Sequence, residues 1–192
     1  MAQQKESVVT PERFASGLTW KQWMAGIERN KEKFEENYRE TTLSSEEIAE
    51  LQALARREDG PAKLLVLGED WCPDVYRGLP VLARIAEAAG CELRIFPRDE
   101  NSDIMGEFLK DGEFQSIPTA VFYTRDHRYI AHWIERPKLA NEERNLMQRI
   151  FEGRTREEAA PDYEAFQKGP VWAGWRRATV SEIIELLKEK CY

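Results

Sequence analysis

The residue best placed for chemistry is Cys72, which lies in the stretch Glu69-Asp70-Trp71-Cys72-Pro73-Asp74-Val75. The apolar run at residues 64–67 predicts a buried strand before it, and apolar residues at helical spacing follow it. Cys72 is therefore expected in the first turn of a helix that begins directly after a strand. Unpaired backbone N–H groups and the positive end of the helix dipole favour an anion at that place, such as a thiolate.

The acidic neighbours of Cys72 act against a thiolate. A carboxylate ~8 Å away costs ~0.5–2 kcal/mol for effective dielectric constants of ~80 down to ~20. The helix end contributes a similar amount, about 0.3–1 kcal/mol and up to ~2 when partly buried. A pKa near the ordinary value of about 8.5 is therefore as well supported as an activated thiol. Asp74 either relays protons to Cys72 or caps the helix, and the pattern leaves both roles open.

The two other cysteines form no recognisable framework with Cys72. The spacings, 19 residues (72 to 91) and 100 residues (91 to 191), match neither a disulfide scaffold nor a zinc site. Cys91 is predicted to be a buried strand residue at the far end of the helix, roughly 25 Å from Cys72, and Cys191 a tail thiol near solvent. His127 and His132 are expected on a surface hairpin without a second ligand nearby, so no metal site is predicted.

Composition limits the class of protein. The chain has 192 residues, of which 42% are hydrophobic and 33% charged, with a net charge of −7. This length suits one well-buried domain with an extension. The acidic balance is unlike the basic face of a nucleic-acid-binding protein. No signal-peptide core and no membrane-spanning apolar run is visible, which predicts a cytoplasmic protein with no membrane partner.

The first part of the chain is predicted to form an arm and a helical extension. Residues 1–17 are interpreted as a polar arm, and Thr19 is expected to cap one helix that continues to about Tyr38. Ser44-Ser45-Glu46-Glu47 has the pattern of a capping box and should begin a second helix that ends near residue 57. Asp59-Gly60-Pro61 breaks the helical pattern. We therefore predict an N-terminal arm and extension over residues 1–58 and the main domain over residues 59–192.

Strand and helix signals alternate from residue 62 onward. Strands are predicted at residues 63–68, 91–96, 119–123 and 129–134, with a helix from the Cys72 turn to about residue 89 that Gly90 ends. A short helix through Leu109 is expected, with Ser102 or Asp103 as its cap. The helix that closes the fold is either Asn141–Phe151 or Thr179–Lys190, the latter with a Thr179-x-x-Glu182 cap, and residues 153–177 receive no predicted structure. This order indicates an α/β protein with a mixed sheet.

Several motifs together resemble the thioredoxin superfamily. Trp71-Cys72-Pro73 is similar to its active-site turn, Pro80 to its helix-kinking proline, and Ile117-Pro118-Thr119 to its cis-proline segment. The Glu-Asp-Trp-Cys-x-Asp pattern further resembles a bacterial thioredoxin-like group with an N-terminal helical extension. The sequence departs from the dithiol members at two positions, because Val75 stands in place of their second cysteine and Val66 in place of their buried aspartate.

The resemblance implies a thioredoxin-like fold, a mixed central sheet flanked by helices, and a catalytic Cys72. It further implies a cis peptide bond before Pro118, substrate pairing with the backbone of Ile117, and site walls formed by Trp71 and Pro73. A single thiol can form only a mixed disulfide, so a second thiol from glutathione or from a protein would have to release it. No other cofactor is expected.

Three functional hypotheses follow. The first is monothiol thiol–disulfide exchange at Cys72, with a protein disulfide or a low-molecular-weight thiol such as glutathione as co-substrate. The second is a redox-inactive module that recognises an extended segment of a partner. The third is cluster binding across a dimer, as in monothiol glutaredoxins, but the Gly-Phe-Ser sequence that accompanies their cysteine is missing. The patterns leave open whether the protein is a monomer or a homodimer.

Overall fold

The computed structural model describes residues 7–191, which form a four-stranded mixed sheet flanked by helices. The strands are β1 (Lys63–Gly68), β2 (Glu92–Pro97), β3 (Thr119–Tyr123) and β4 (Tyr129–Ile134). Their order in the sheet is β2-β1-β3-β4, with β1 parallel to β2 and antiparallel to β3, and β4 antiparallel to β3. The predicted fold class is confirmed, and three strands have the predicted bounds while β2 is shifted by one residue.

The unit that positions Cys72 consists of β1, the following turn and α5 (Pro73–Ala89). Residues 64–67 of β1 are completely buried, which explains their continuous apolar sequence. Parallel pairing of β1 with β2 requires a crossover connection, and α5 supplies it. Gly90 ends α5 in the left-handed conformation with φ 71°, as the sequence predicts.

Residues 7–17 do not form a polar arm. Thr10 caps the short helix α1 (Pro11–Ala15), and Phe14 of this helix is only 1% exposed. Leu18 and Ile95 exchange two backbone hydrogen bonds of 2.8 Å, which attaches the segment to β2. The prediction of a polar arm is therefore wrong for residues 7–17, because an apolar side chain draws the segment onto the core. Residues 1–6 lie outside the described part of the chain.

The helix predicted from Thr19 to Tyr38 is divided in two, α2 (Trp20–Gly26) and α3 (Lys31–Glu40). The carboxylate of Asp70 accepts hydrogen bonds from the N–H groups of Glu28 and Arg29, at 3.0 and 2.9 Å. The helix ends there because these N–H groups point to Asp70 instead of to the preceding turn. The next helix, α4 (Ser45–Ala55), begins with the predicted capping box of Ser44 and Glu47.

The last part of the chain is more helical than predicted. The helices are α6 (Ser102–Met105), α7 (Lys138–Glu142), α8 (Arg144–Phe151), α9 (Arg156–Gln167) and α10 (Pro170–Lys190). The predicted helix through Leu109 is shorter than expected, since it ends at Met105. Residues 153–177, which had no predicted structure, contain all of α9 and the start of α10.

The helix α10 packs against α5 and β4 and closes the fold. Its predicted cap is wrong, because Thr179 lies inside α10 and its hydroxyl donates to the carbonyl of Trp175 at 3.0 Å. Glu182 instead accepts hydrogen bonds from the N–H of Lys138 and from the indole of Trp133. These two bonds attach the start of α7 and strand β4 to α10.

A single hydrophobic cluster joins the N-terminal helices to the sheet and to α10. Trp23, Phe34, Leu51 and Trp172 are each at most 4% exposed and belong to this cluster together with β1 and α5. Over residues 7–191, no helix combines the length and apolar character that a membrane crossing requires.

Candidate functional site

Three residues that the sequence singles out lie together at the start of α5. Cys72 is the N-cap residue of this helix and is half-buried. Its Sγ lies 3.9 Å from the carbonyl oxygen of Ile117, and the Ile117–Pro118 peptide bond is cis. Gly78, one turn and a half along α5, lets the helix approach the proline ring: a Cβ at this position would be 3.0 Å from Pro118 Cγ. The turn before α5 and the loop before β3 thus form one site.

The Cys72 thiol has a pKa above its ordinary value. Burial is the main cause, and the negative charge of Asp74 adds to it. The backbone N–H groups of Val75 and Asp74 and the positive charge of Arg77 lower the pKa, but by less. The sequence left open an ordinary pKa or an activated thiol, and the raised pKa matches neither: the thiol is mostly protonated at neutral pH.

Asp74 is held between two arginines. Its Oδ1 lies 2.6 Å from Nη2 of Arg77, and its Oδ2 lies 2.8 Å from Nη2 of Arg136. The guanidinium of Arg77 is buried and lies 5.0 and 5.4 Å from the ring centroids of Trp172 and Trp175. The side chain of Cys72, the N-cap residue of α5, makes no capping hydrogen bond.

Sequence reasoning missed both arginines. Arg77 follows Asp74 at i+3, a spacing at which opposite charges meet on a helix, and this signal was available. Arg136 comes two residues after β4, and no local pattern links it to Asp74. The two arginines join the start of α5 to β4 and to α10 through one carboxylate.

The other two acidic residues of the motif are engaged elsewhere. Glu69 accepts a hydrogen bond from the N–H of Asp99 at 2.8 Å, and burial raises the pKa of its carboxyl. Asp70 binds the turn between α2 and α3. Of the three acidic residues in the motif, Asp74 is therefore the one whose charge mainly raises the pKa of the Cys72 thiol.

No second thiol of the described chain lies at the site. Val75 is buried with a methyl group against Gly68, and all three cysteines are free thiols. The Sγ of Cys91 donates to the carbonyl of Pro61 at 3.2 Å, and burial raises its pKa to about 12. Cys191 is completely buried, which corrects the expectation of a thiol near solvent. Its side chain joins the hydrophobic core under α10.

The predicted substrate-binding residues present both backbone and aromatic surface. The N–H of Ile117 forms no hydrogen bond within residues 7–191, and the residue is 5% exposed. Trp71 is 43% exposed, and the guanidinium of Arg98 lies 5.4 Å from the centroid of its ring. Trp71 and Pro73 also line one side of a groove of about 640 Å³, whose other side is formed by α8 and α9.

Comparison with known proteins identifies the family. The family model described as thioredoxin matches residues 17–149, more than half of the chain. None of the curated proteins compared with the sequence matches it significantly.

Two solved structures share the fold. The crystal structure of PA1234 from Pseudomonas aeruginosa, a protein of unknown function, is 18% identical, covers 94% of this chain and 98% of its own, and has a TM-score of 0.67. A crystal structure of an HIV 4E10 epitope-scaffold is 20% identical, covers 96% and 99%, and has a TM-score of 0.64. The matched residues include the whole sheet, Cys72 and the Ile117–Pro118 bond, and the chain belongs to the thioredoxin family.

Proposed function

We propose that the protein carries out monothiol thiol–disulfide exchange at Cys72. The observation that carries this proposal is the approach of the Cys72 Sγ to the Ile117 carbonyl at the start of α5, beside Pro118. A substrate segment paired with the free N–H of Ile117 would bring its sulfur next to Cys72. Trp71 and Pro73 would bound the segment on the other side.

The exchange takes place in two balanced steps. The Cys72 thiolate attacks one sulfur of a disulfide, a mixed disulfide forms, and the other sulfur leaves as a thiolate. A second thiolate, from glutathione or from a protein, then attacks the mixed disulfide and displaces Cys72. No electrons are gained or lost by the protein over the cycle. Because the pKa of Cys72 is raised, the first step should be slow at neutral pH.

The same proposal includes two finer assignments. We place the chain in the bacterial thioredoxin-like group with an N-terminal helical extension, since α2, α3 and α4 precede β1 and Asp70 of the motif binds their connecting turn. We also propose a cytoplasmic location. It is supported by three free cysteines, since a reducing compartment keeps thiols reduced.

The test is intact-mass analysis after incubation with oxidised glutathione. The parent protein should gain one glutathionyl group at Cys72, and Cys72→Ser should gain none, because Cys91 and Cys191 are buried or hydrogen-bonded inside the protein. The adduct should disappear when reduced glutathione is added. An adduct that forms equally in the parent and in Cys72→Ser would remove the proposed activity.

The second candidate function is a redox-inactive module that binds an extended partner segment. The raised pKa of Cys72 favours it, because a protonated thiol is a poor nucleophile. The exposed rings of Trp71 and Phe114, 43% and 53% exposed, also favour it, since aromatic side chains are common anchors at interfaces. The same experiment separates the two functions, because a binding module needs no adduct at Cys72.

A further inference from the structure

The groove beside Cys72 has two different walls. One wall consists of Trp71 and Pro73, which flank Cys72 in the chain, although Cys72 itself does not line the groove. The opposite wall is apolar and is formed by Met147 and Phe151 of α8 and by Tyr163 of α9. The volume between them is about 640 Å³, within the range of about 300–1,000 Å³ that is usual for small-molecule sites.

The opposite wall is attached firmly to the core. The rings of Phe151 and Tyr163 are 5.1 Å apart, and the ring of Tyr163 meets that of Trp172 at a right angle with centroids 6.5 Å apart. Trp172 is 1% exposed, so this chain of rings connects the groove to the centre of the molecule. A preformed wall of this kind lowers the entropic cost of binding a ligand.

The charges that line the groove are predominantly positive. Glu164, the one lining carboxylate, forms an ion pair with Lys168 at 2.7 Å. Lys33 donates to the neutral side chain of Gln167 at 2.9 Å, and its ammonium lies 4.9 Å from the ring centroid of Tyr76. Arg156 forms neither a hydrogen bond nor an ion pair within residues 7–191.

Lys33 and Arg156, which form no ion pair within residues 7–191, thus line an aromatic groove together with Glu164, in a protein whose net charge is −7. Such a groove is complementary to an organic anion. Burial lowers the pKa of Lys33, and the charges of Glu164 and Glu36 oppose this shift, so a further carboxylate bound near the ammonium would also favour its charged form. A ligand with two carboxylates at the ends of a short body can contact Lys33 and Arg156 at once.

We infer that this groove binds a low-molecular-weight thiol or disulfide that carries carboxylates, with Lys33 and Arg156 as the residues that bind them. The inference rests on the proposed function, because it names the co-substrate site of that exchange. Trp71 and Tyr163 would contact the body of the ligand, and its sulfur would lie toward Cys72. The chemistry of glutathione, a short peptide with two carboxylates and one thiol, meets these requirements.

The test uses S-methylglutathione, which cannot form a disulfide, and measures its Kd by calorimetry. The parent and Cys72→Ser should bind it equally. Arg156→Gln and Lys33→Gln should each weaken binding by about two- to fivefold, the range expected for partly exposed ion pairs. Arg149→Gln on α8 and Lys31→Gln on α3 remove an equal charge outside the groove and should leave the Kd unchanged.

The outcomes separate this inference from the proposed function. If Cys72 is glutathionylated but S-methylglutathione does not bind, or binds Arg156→Gln and Lys33→Gln as it binds the parent, the exchange remains and the groove assignment is wrong. If S-methylglutathione binds as expected and no adduct forms at Cys72, the groove assignment remains and the exchange is lost. Equal binding of the dimethyl ester, in which both carboxylates are masked, would contradict recognition by the two cations.

Discussion

At the scale of single residues, the chemistry of the site depends on Asp74, whose carboxylate acts both on the Cys72 thiol and on two arginines. The carboxylate raises the pKa of Cys72, and it also compensates the buried guanidinium of Arg77 and that of Arg136. Removing one member of a buried pair leaves an uncompensated charge and costs about 3–5 kcal/mol. The residue that makes the thiol less acidic therefore also stabilises the start of α5.

Asp74→Asn should lower the pKa of Cys72 and speed its alkylation at neutral pH. The substitution removes a negative charge, and Arg77, whose charge lowers the pKa of Cys72, then acts on the thiolate without its counter-ion. The rate of alkylation against pH, followed by mass spectrometry at Cys72, should shift to lower pH. The same variant should lose several kcal/mol of stability, measured by urea unfolding.

Glu69→Gln is the matched control for this charge effect. It removes an equal charge within the motif, but Glu69 is bound to the N–H of Asp99 and is not a major influence on the thiol. Its alkylation profile should coincide with that of the parent. If Asp74→Asn leaves the profile in place, the ion pairs of Asp74 do not control the reactivity of Cys72.

Val75→Cys should convert the site to a dithiol site. Val75 lies in the first turn of α5, three residues after Cys72, so its Cα is close enough for a disulfide. Loss of a buried methyl group should cost about 1 kcal/mol. The rate of insulin reduction should rise severalfold, because a second thiol now releases the mixed disulfide.

Val81→Cys tests whether the added thiol must lie next to Cys72 to raise the rate of insulin reduction. Val81 is equally buried on α5, almost two turns further along, and adds the same chemical group away from the site. Its insulin reduction should equal that of the parent. Efficient turnover by the parent itself would mean that a resolving thiol exists, contrary to the buried positions of Cys91 and Cys191.

At the scale of elements, local signals predicted β1, β3, β4 and α5, because each has an apolar run or a helical stripe with a clear end. The helix break after Gly26 was missed, since Asp70, more than 40 residues later, produces it. The helix α9 was missed although Thr155-x-x-Glu158 forms a capping box. Pro161 lies inside α9, and Pro170 is the first residue of α10, where a proline is well tolerated.

Gly78 on α5 is a position where a helix-favouring substitution should be harmful. Replacing a glycine inside a helix by alanine usually stabilises by about 0.5–1 kcal/mol. At Gly78 the added methyl would lie 3.0 Å from Pro118 Cγ, so α5 or the Pro118 loop must move. Gly78→Ala should therefore destabilise the protein by about 1–3 kcal/mol and change the alkylation rate of Cys72.

Gly174→Ala on α10 is the matched control. A methyl group at this position would have no atom within 4 Å, so only the helical preference acts. Urea unfolding should show a stability gain of about 0.5–1 kcal/mol with unchanged Cys72 reactivity. Equal gains at Gly78 and Gly174 would mean that the contact with Pro118 does not limit the position of α5.

At the scale of the whole molecule, the sequence predicted Cys72, Ile117 and Pro118 because a motif carries them. Arg77, Arg136 and the groove were not predicted, since their positions depend on how α8, α9 and α10 fold over α5. A side chain of α3 also holds α10, because Asn37 Oδ1 accepts hydrogen bonds of 3.0 Å from the indole of Trp172 and from Arg176. The groove therefore exists only in the assembled molecule.

The last prediction concerns the boundary at residues 58 and 59. A fragment of residues 59–192 should fail to fold, because it loses apolar side chains that are at most 4% exposed in the whole protein: Phe14, Trp23, Phe34, Leu51 and Leu54. Each contributes about 1.5–3 kcal/mol, and their sum is comparable with the total stability of about 5–15 kcal/mol that is typical of proteins.

The measurement compares far-UV circular dichroism with tryptophan fluorescence during urea unfolding. In the full chain the two transitions should coincide, since one core contains the N-terminal helices, the sheet and α10. The fragment should lack a cooperative transition and should expose Trp172, whose indole loses its partner Asn37. A fragment that unfolds cooperatively at a similar urea concentration would mean that α1 to α4 are an independent attachment and not a part of the core.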